Sequence, residues 1–76
     1  GRVELALKHV SGALASVLTI VAQDDGNVSN VKFNERSADV FRIELDLEVR
    51  DVKHLTDVVA ALRASKYVNS VERSFT

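Results

Sequence analysis

The residues best placed to do chemistry are Ser11-Gly12-Ala13-Leu14, between an alternating apolar stretch and a helical one. The chain must turn sharply there from strand into helix. Ser11 is expected to cap that helix, because its hydroxyl can accept from a free amide of the first turn. Gly12 carries no side chain, so a backbone or small ligand can come close. The unpaired amides and the positive end of the helix dipole would suit a carboxylate. Asn27 follows Gly26 after the helix, which is ordinary turn chemistry and equally a place for a ligand contact.

Other chemistry finds little support. His9 and His54 fall on different elements, without the clustered carboxylates or thiolates that complete a metal shell. Both read as surface or packing histidines, so no metal and no cofactor is expected. His9 with Ser11 lacks a third, orienting group, and Ser11 is already committed to a helix cap. Neither a nucleotide-binding glycine loop nor a pair of catalytic carboxylates is visible, so the chain is not expected to be an enzyme.

These residues need a scaffold. In residues 2–8, Val3, Leu5 and Leu7 alternate with Arg2, Glu4, Ala6 and Lys8, a strand with one buried face. Leu14, Val17, Leu18, Val21 and Ala22 recur at helical spacing, and Gly26 is expected to supply a left-handed cap after Asp24-Asp25. Asn27 to Glu35 is a weaker, more polar strand with Val31 and Phe33 on one face, suited to a sheet edge. Glu35 to Ala38 makes the connection. Asp39 to Arg50 alternates most clearly: Phe41, Ile43, Leu45, Leu47 and Val49 inward, Arg42, Glu44, Asp46, Glu48 and Arg50 outward. Asp51 caps a second helix, Val52 to about Ala64, with a stripe of Leu55, Val58, Val59 and Leu62. Tyr67 to Phe75 forms a last strand, and the odd spacing of Val68 and Val71 means that one of them lies off the regular face or that a bulge intervenes.

The order β-α-β-β-α-β, with each element apolar on one side, predicts an α+β ferredoxin-like sandwich. Two helices cover one face of a four-stranded antiparallel sheet, with the first and third strands central. In 76 residues such a fold buries only about 60% of its unfolded surface, so association would help it. Charge is balanced, 10 basic against 11 acidic residues, with no basic stripe for nucleic acid. The acidic outer face of the third strand, with Phe41 on the core parity, disfavours base stacking on RNA. There is no cysteine, no signal pattern and no apolar run near the ~18 residues of a membrane span, which fits a cytoplasmic address. The chain starts at Gly1 and has no Met, which suggests a piece of a longer protein.

The residues also carry a resemblance. The Gly12-Ala13-Leu14 turn and Asn27-Val28 opening the second strand resemble the ACT domain. Leu47 to Leu55 (LEVRDVKHL), Leu62-Arg63 and Val68 to Arg73 (VNSVER) are similar to the C-terminal ACT domain of Rel/Spo-type enzymes. Those enzymes make and hydrolyse the alarmone (p)ppGpp in the bacterial stringent response. The resemblance covers essentially the whole chain. It implies one regulatory domain over 1–76, excised from the C-terminus of a larger enzyme, dimeric, and binding a free amino acid between two copies. It also implies that His9, three before the glycine, and Asn27 hold the ligand's charged ends. The family often has Asn at the first position, and a Pro where this chain has Ser11.

The residue chemistry agrees with that implication. Helix-start amides can take a carboxylate, Asn27 can bond either ligand end, and Val10, Ala13, Leu14 and Val28 can enclose an aliphatic side chain. Valine or isoleucine is the favoured ligand. The alternative is an interaction-only module that mediates dimerisation, contacts with other domains of the parent, or contact with the ribosome.

Overall fold

The 39–50 segment, with the most regular alternation, lies at the centre of the sheet. The computed structural model describes residues 1–74. In order, the elements are β1 (Arg2–Lys8), α1 (Ala13–Gln23), β2 (Asn27–Arg36), β3 (Val40–Glu48), α2 (Val52–Arg63) and β4 (Val68–Ser74). The strands form one antiparallel sheet in the order β2-β3-β1-β4, with both helices on one face, the ferredoxin-like arrangement. Phe75, expected in the last strand, lies outside the described residues.

Register follows from the alternation. Val3 faces Leu45, Leu5 faces Ile43 and Leu7 faces Phe41 across β1 and β3. Five of these six are fully enclosed. Each such side chain contributes roughly 1.5–3 kcal/mol by leaving water. A slip by one residue would put Arg42, Glu44 and Asp46 under the helices instead. Ala6 has the outward parity yet is buried, because it is small and lies between Arg42 and Ser70 on the flanking strands. Of the two readings of the Val68–Val71 spacing, the bulge is the one the strand adopts. Ala6 pairs with Ser70 but Leu7 with Val68, so Asn69 is the extra residue and both valines reach the helix side.

The helix ends depart from expectation in three ways. Ser11 does not cap α1; the N-cap is Gly12, with φ 84° and no side-chain cap bond. The amide of Ala13 donates to the Val10 carbonyl and that of Ser16 to Gly12. Gly12 therefore occupies the third position of a tight turn whose left-handed φ favours glycine. At the other end the left-handed residue is Asp25, φ 60°, rather than Gly26. Gly26 donates to the Val21 carbonyl and Asp25 to that of Ala22, a Schellman closure. Glycine is required at 26 for space: a Cβ there would lie 2.9 Å from Val21 Cγ1 and 3.2 Å from the Val21 carbonyl oxygen. Finally, α1 is rotated from its expected stripe. Ala13, Val17 and Val21 are buried and Ile20 packs at the margin, while Leu18 and Ala22 face outward.

α2 keeps its expected cap, the Asp51 carboxylate accepting from the His54 amide at 2.8 Å. His54 itself is buried and serves packing. Its Nδ1 accepts from the Arg50 amide at 3.0 Å, and Nε2–H donates to the Asp24 carbonyl. One neutral ring thus ties the start of α2 to the end of α1.

β2 holds the feature that most affects the candidate site. Its pairing with β3 skips at Ser29 and at Asn34, two bulges in one edge strand. The Ser29 hydroxyl donates to the Asp46 carbonyl, and the Asn34 amide donates to Glu44 Oε2 at 3.0 Å. Each bulge rephases the strand. Val28, Val31, Phe33 and Arg36 all lie opposite inward residues of β3, namely Leu47, Leu45, Ile43 and Phe41. A regular strand would place Phe33 and Arg36 on opposite faces. The strand also runs through Arg36, which had been expected in the connection.

Candidate functional site

The turn before α1 opens onto a pocket of about 320 Å³ between the first helical turn and the far end of the β2–β3 hairpin. That is at the lower end of the range for small-molecule sites, about 300–1,000 Å³. Of the residues singled out in the sequence, His9, Val10, Gly12, Ala13 and Leu14 line it. Ser11, Asn27 and Val28 do not. Asn27 and Val28 are at the opposite end of β2, roughly 13–23 Å along the strand from Phe33 and Arg36. There the Asn27 amide donates to Glu48 Oε1.

Ala15, Phe33, Arg36 and Phe41 also line the pocket, and were not recognised as site residues in the sequence. Phe41 has core parity, which by itself points only to packing. Phe33 shares the face of Val31, opposite Ile43, and Arg36 joins the two rings only because of the Asn34 bulge. The irregular apolar spacing 28, 31, 33 signals the first bulge, at Ser29, whereas no apolar residue marks the second, at Asn34.

The walls have distinct chemistry. Leu14, Ala13, Ala15 and Val10 make an aliphatic side. Opposite them the Phe33 and Phe41 rings lie 6.1 Å apart, and His9 meets Phe41 edge-on at 5.5 Å. His9 Nδ1–H donates to the Ser37 carbonyl at 2.8 Å, which fixes the ring against the hairpin. The Arg36 guanidinium stacks on Phe33, 4.8 Å from the ring centroid. At the helix start, the amides of Leu14 and Ala15 have no earlier carbonyl within the helix to bond.

The open face of the sheet is different. Arg2 Nε–H donates to Asp46 Oδ1 at 2.7 Å and lies 3.5 Å from Glu44, and Arg42 lies 3.8 Å from Glu4. The hydrogen bond from Arg2 holds the Asp46 carboxyl below its usual range, and the same bond raises Arg2. Phe33 and Phe41 both face the helices, so this face offers neither ring for base stacking. Among the described residues, no group of three or more His, Cys, Asp or Glu could hold a metal ion. No helix among them is long and apolar enough to cross a membrane.

The match that decides the family covers nearly the whole chain: residues 1–73 fit the family model for the ACT domain. The chain belongs to the ACT domain family. It is related to GTP pyrophosphokinases of the Rel/Spo type. The GTP pyrophosphokinase rsh of Brucella abortus is 31% identical over 72 residues, 95% of this chain and 10% of that protein. The chain thus spans about a tenth of the length of the relatives it matches. The crystal structure of the ACT domain from GTP pyrophosphokinase of Chlorobium tepidum superposes with a TM-score of 0.80 at 20% identity, covering 96% of this chain and 94% of that one. The C-terminal domain of the MgtC protein from Mycobacterium tuberculosis gives 0.68 at 15% identity, covering 93% and 80%. Both structures share the fold. An ACT domain is a regulatory module rather than a catalytic one, and such domains generally dimerise and bind small ligands. In this ACT domain the pocket lies at the turn where β1 hands over to α1.

Proposed function

We propose that this ACT domain senses a free amino acid on behalf of a larger cytoplasmic enzyme that makes and hydrolyses (p)ppGpp, with the domain at that enzyme's C-terminus. The ligand is a branched-chain amino acid, valine or isoleucine first, held between two copies. One copy gives the turn from His9 to Leu14, and Asn27 with Val28 come from the other. The observation that carries this reading is the small pocket at the Gly12 turn, with an aliphatic wall and helix-start amides on one side. A second copy is needed because Asn27 cannot reach this pocket within its own chain. β2 is an edge strand and offers its backbone to a symmetry mate.

Calorimetric titration with a panel of amino acids tests the proposal. Valine and isoleucine are expected to bind saturably, with slight discrimination because one methylene is worth about 1–3 kcal/mol. Gly12→Val is expected to abolish binding by strain and blockage, and Asn27→Ala to weaken it while sparing the fold. Equal binding by all three proteins, or displacement of valine by arginine, refutes the site. No saturable binding by any amino acid favours the interaction-only module. Sedimentation is expected to show a dimer, and a particle near 8.3 kDa at all concentrations counts against the two-copy site.

A further inference from the structure

The pocket holds a charge that neither the turn nor Asn27 accounts for. Arg36 lines it, stacked on Phe33, and has no carboxylate partner among the described residues. Its neighbours on the sheet contrast with it: Arg2 is tied to Asp46 and Glu44, and Arg42 to Glu4. Arg36 is held in place by two features of the backbone and the ring. The Asn34 bulge turns it to the helix side opposite Phe41, and the Phe33 ring then supports the guanidinium plane. This leaves its N–H donors available in a fork suited to a carboxylate.

The remaining lining is as informative. Among the described residues it consists of His9, Val10, Gly12, Ala13, Leu14, Ala15 and the two phenylalanines, with no Asp or Glu. Within one protomer an ammonium group would meet no negative side chain among these lining residues, and would lie near a guanidinium and the positive end of α1. An apolar body has the aromatic and aliphatic walls to fill.

We infer that Arg36 is the specificity-determining anchor of this pocket, and that one protomer recognises an apolar monocarboxylate through its carboxylate alone. This rests on the ligand reading above and deepens it. An amino acid enters carboxylate first toward Arg36, and its ammonium is left to the second copy. The deaminated analogue of an aliphatic amino acid is therefore a ligand too.

The test uses leucine and its two halves: 4-methylpentanoate, which lacks the ammonium, and 3-methylbutylamine, which lacks the carboxylate. Each is titrated into the protein with amide chemical shifts as the readout. The acid is expected to shift Leu14, Phe33, Arg36 and Phe41 saturably, and the amine to leave them unmoved. Arg36→Gln is expected to weaken the acid by at least about tenfold, the effect of losing a charge-assisted bond, with Arg36→Lys in between. Arg36 is exposed, so both variants are expected to unfold at the wild-type denaturant midpoint. Binding of the amine but not the acid overturns the inference, as does an Arg36→Gln variant that binds the acid unchanged. Leucine binding that survives Arg36→Gln but fails in Asn27→Ala overturns the role of Arg36 while the amino-acid reading stands. Failure of all three probes overturns both.

Discussion

Glycine at 26 and glycine at 12 are required for different reasons, and exchanging each for alanine separates them. At Gly26 a Cβ meets Val21 Cγ1 at 2.9 Å, the Val21 carbonyl oxygen at 3.2 Å and Val58 Cγ2 at 3.8 Å. The carbonyl cannot retreat freely, since it accepts the Gly26 amide at 2.9 Å in the helix closure. Overpacking of this kind costs about 1–3 kcal/mol, and loss of the cap bond adds about 1. Alanine also narrows the unfolded ensemble, which returns about 0.4–1. Gly26→Ala is therefore expected to destabilise by about 2–3 kcal/mol. At Gly12 a Cβ meets nothing within 4 Å, and only φ 84° opposes it. The left-handed backbone costs about 1–2 kcal/mol for an L-residue, with the same return from the unfolded state, leaving about 1. Asp25→Gly, at φ 60°, is expected to be neutral or stabilising by a few tenths of a kcal/mol. Urea denaturation of the three variants provides the comparison. A larger loss at Gly12 than at Gly26, or a clear loss on Asp25→Gly, refutes the placement of the left-handed residue.

Three further outcomes follow from the same structure. Leu45→Ala, at a fully enclosed position opposite Val3, is expected to cost about 2–5 kcal/mol in chemical denaturation, a large share of what so small a domain has; a small cost would mean that the inward face of β3 is wrongly assigned. His54→Phe keeps the bulk but removes both partners of a buried ring, so it is expected to destabilise by about 2–4 kcal/mol and to speed hydrogen exchange at the Arg50 amide; unchanged protection there would contradict the bridge. Asp46 has its folded value lowered by the bond from Arg2, so its contribution is present above the ordinary value of 3.8 and is lost as pH falls through the lower, folded one; Asp46→Asn is expected to flatten stability against pH in that acid range, and parallel profiles would count against the pair.

Much of the fold was legible because alternation and helical spacing are strong signals. Val3, Leu5 and Leu7 and the 41–47 series could sit one way only, and the Asp51 cap was visible from local chemistry, whereas the spacing of Val68 and Val71 left both a bulge and an off-face valine open. The helix ends were less so. Ser11 is a good cap by type, but Gly12 took the left-handed turn and carried the cap position past it. Asp25 preceded a glycine that looked like the left-handed residue, yet the space beside Val21 admitted no side chain at 26. The site was half legible. His9 to Leu14 could be placed from the turn alone, whereas Arg36 reaches the pocket only through the Asn34 bulge. Bulges in a polar edge strand leave only irregular spacing as their trace. His54 reads from the sequence as a surface or packing residue, and the partner that decides for packing, the Asp24 carbonyl, lies thirty residues away.

The central claim is that a small apolar amino acid occupies the pocket at the Gly12 turn. Mapping of amide chemical shifts during a valine titration tests it most directly. The account predicts saturable shifts clustered at His9 to Ala15, at Phe33 to Arg36 and at Phe41, with a second set at Asn27 and Val28 from the facing copy. Shifts that do not saturate, or that cluster in the groove between α2 and β4 around Thr56, Arg63 and Arg73, would contradict it.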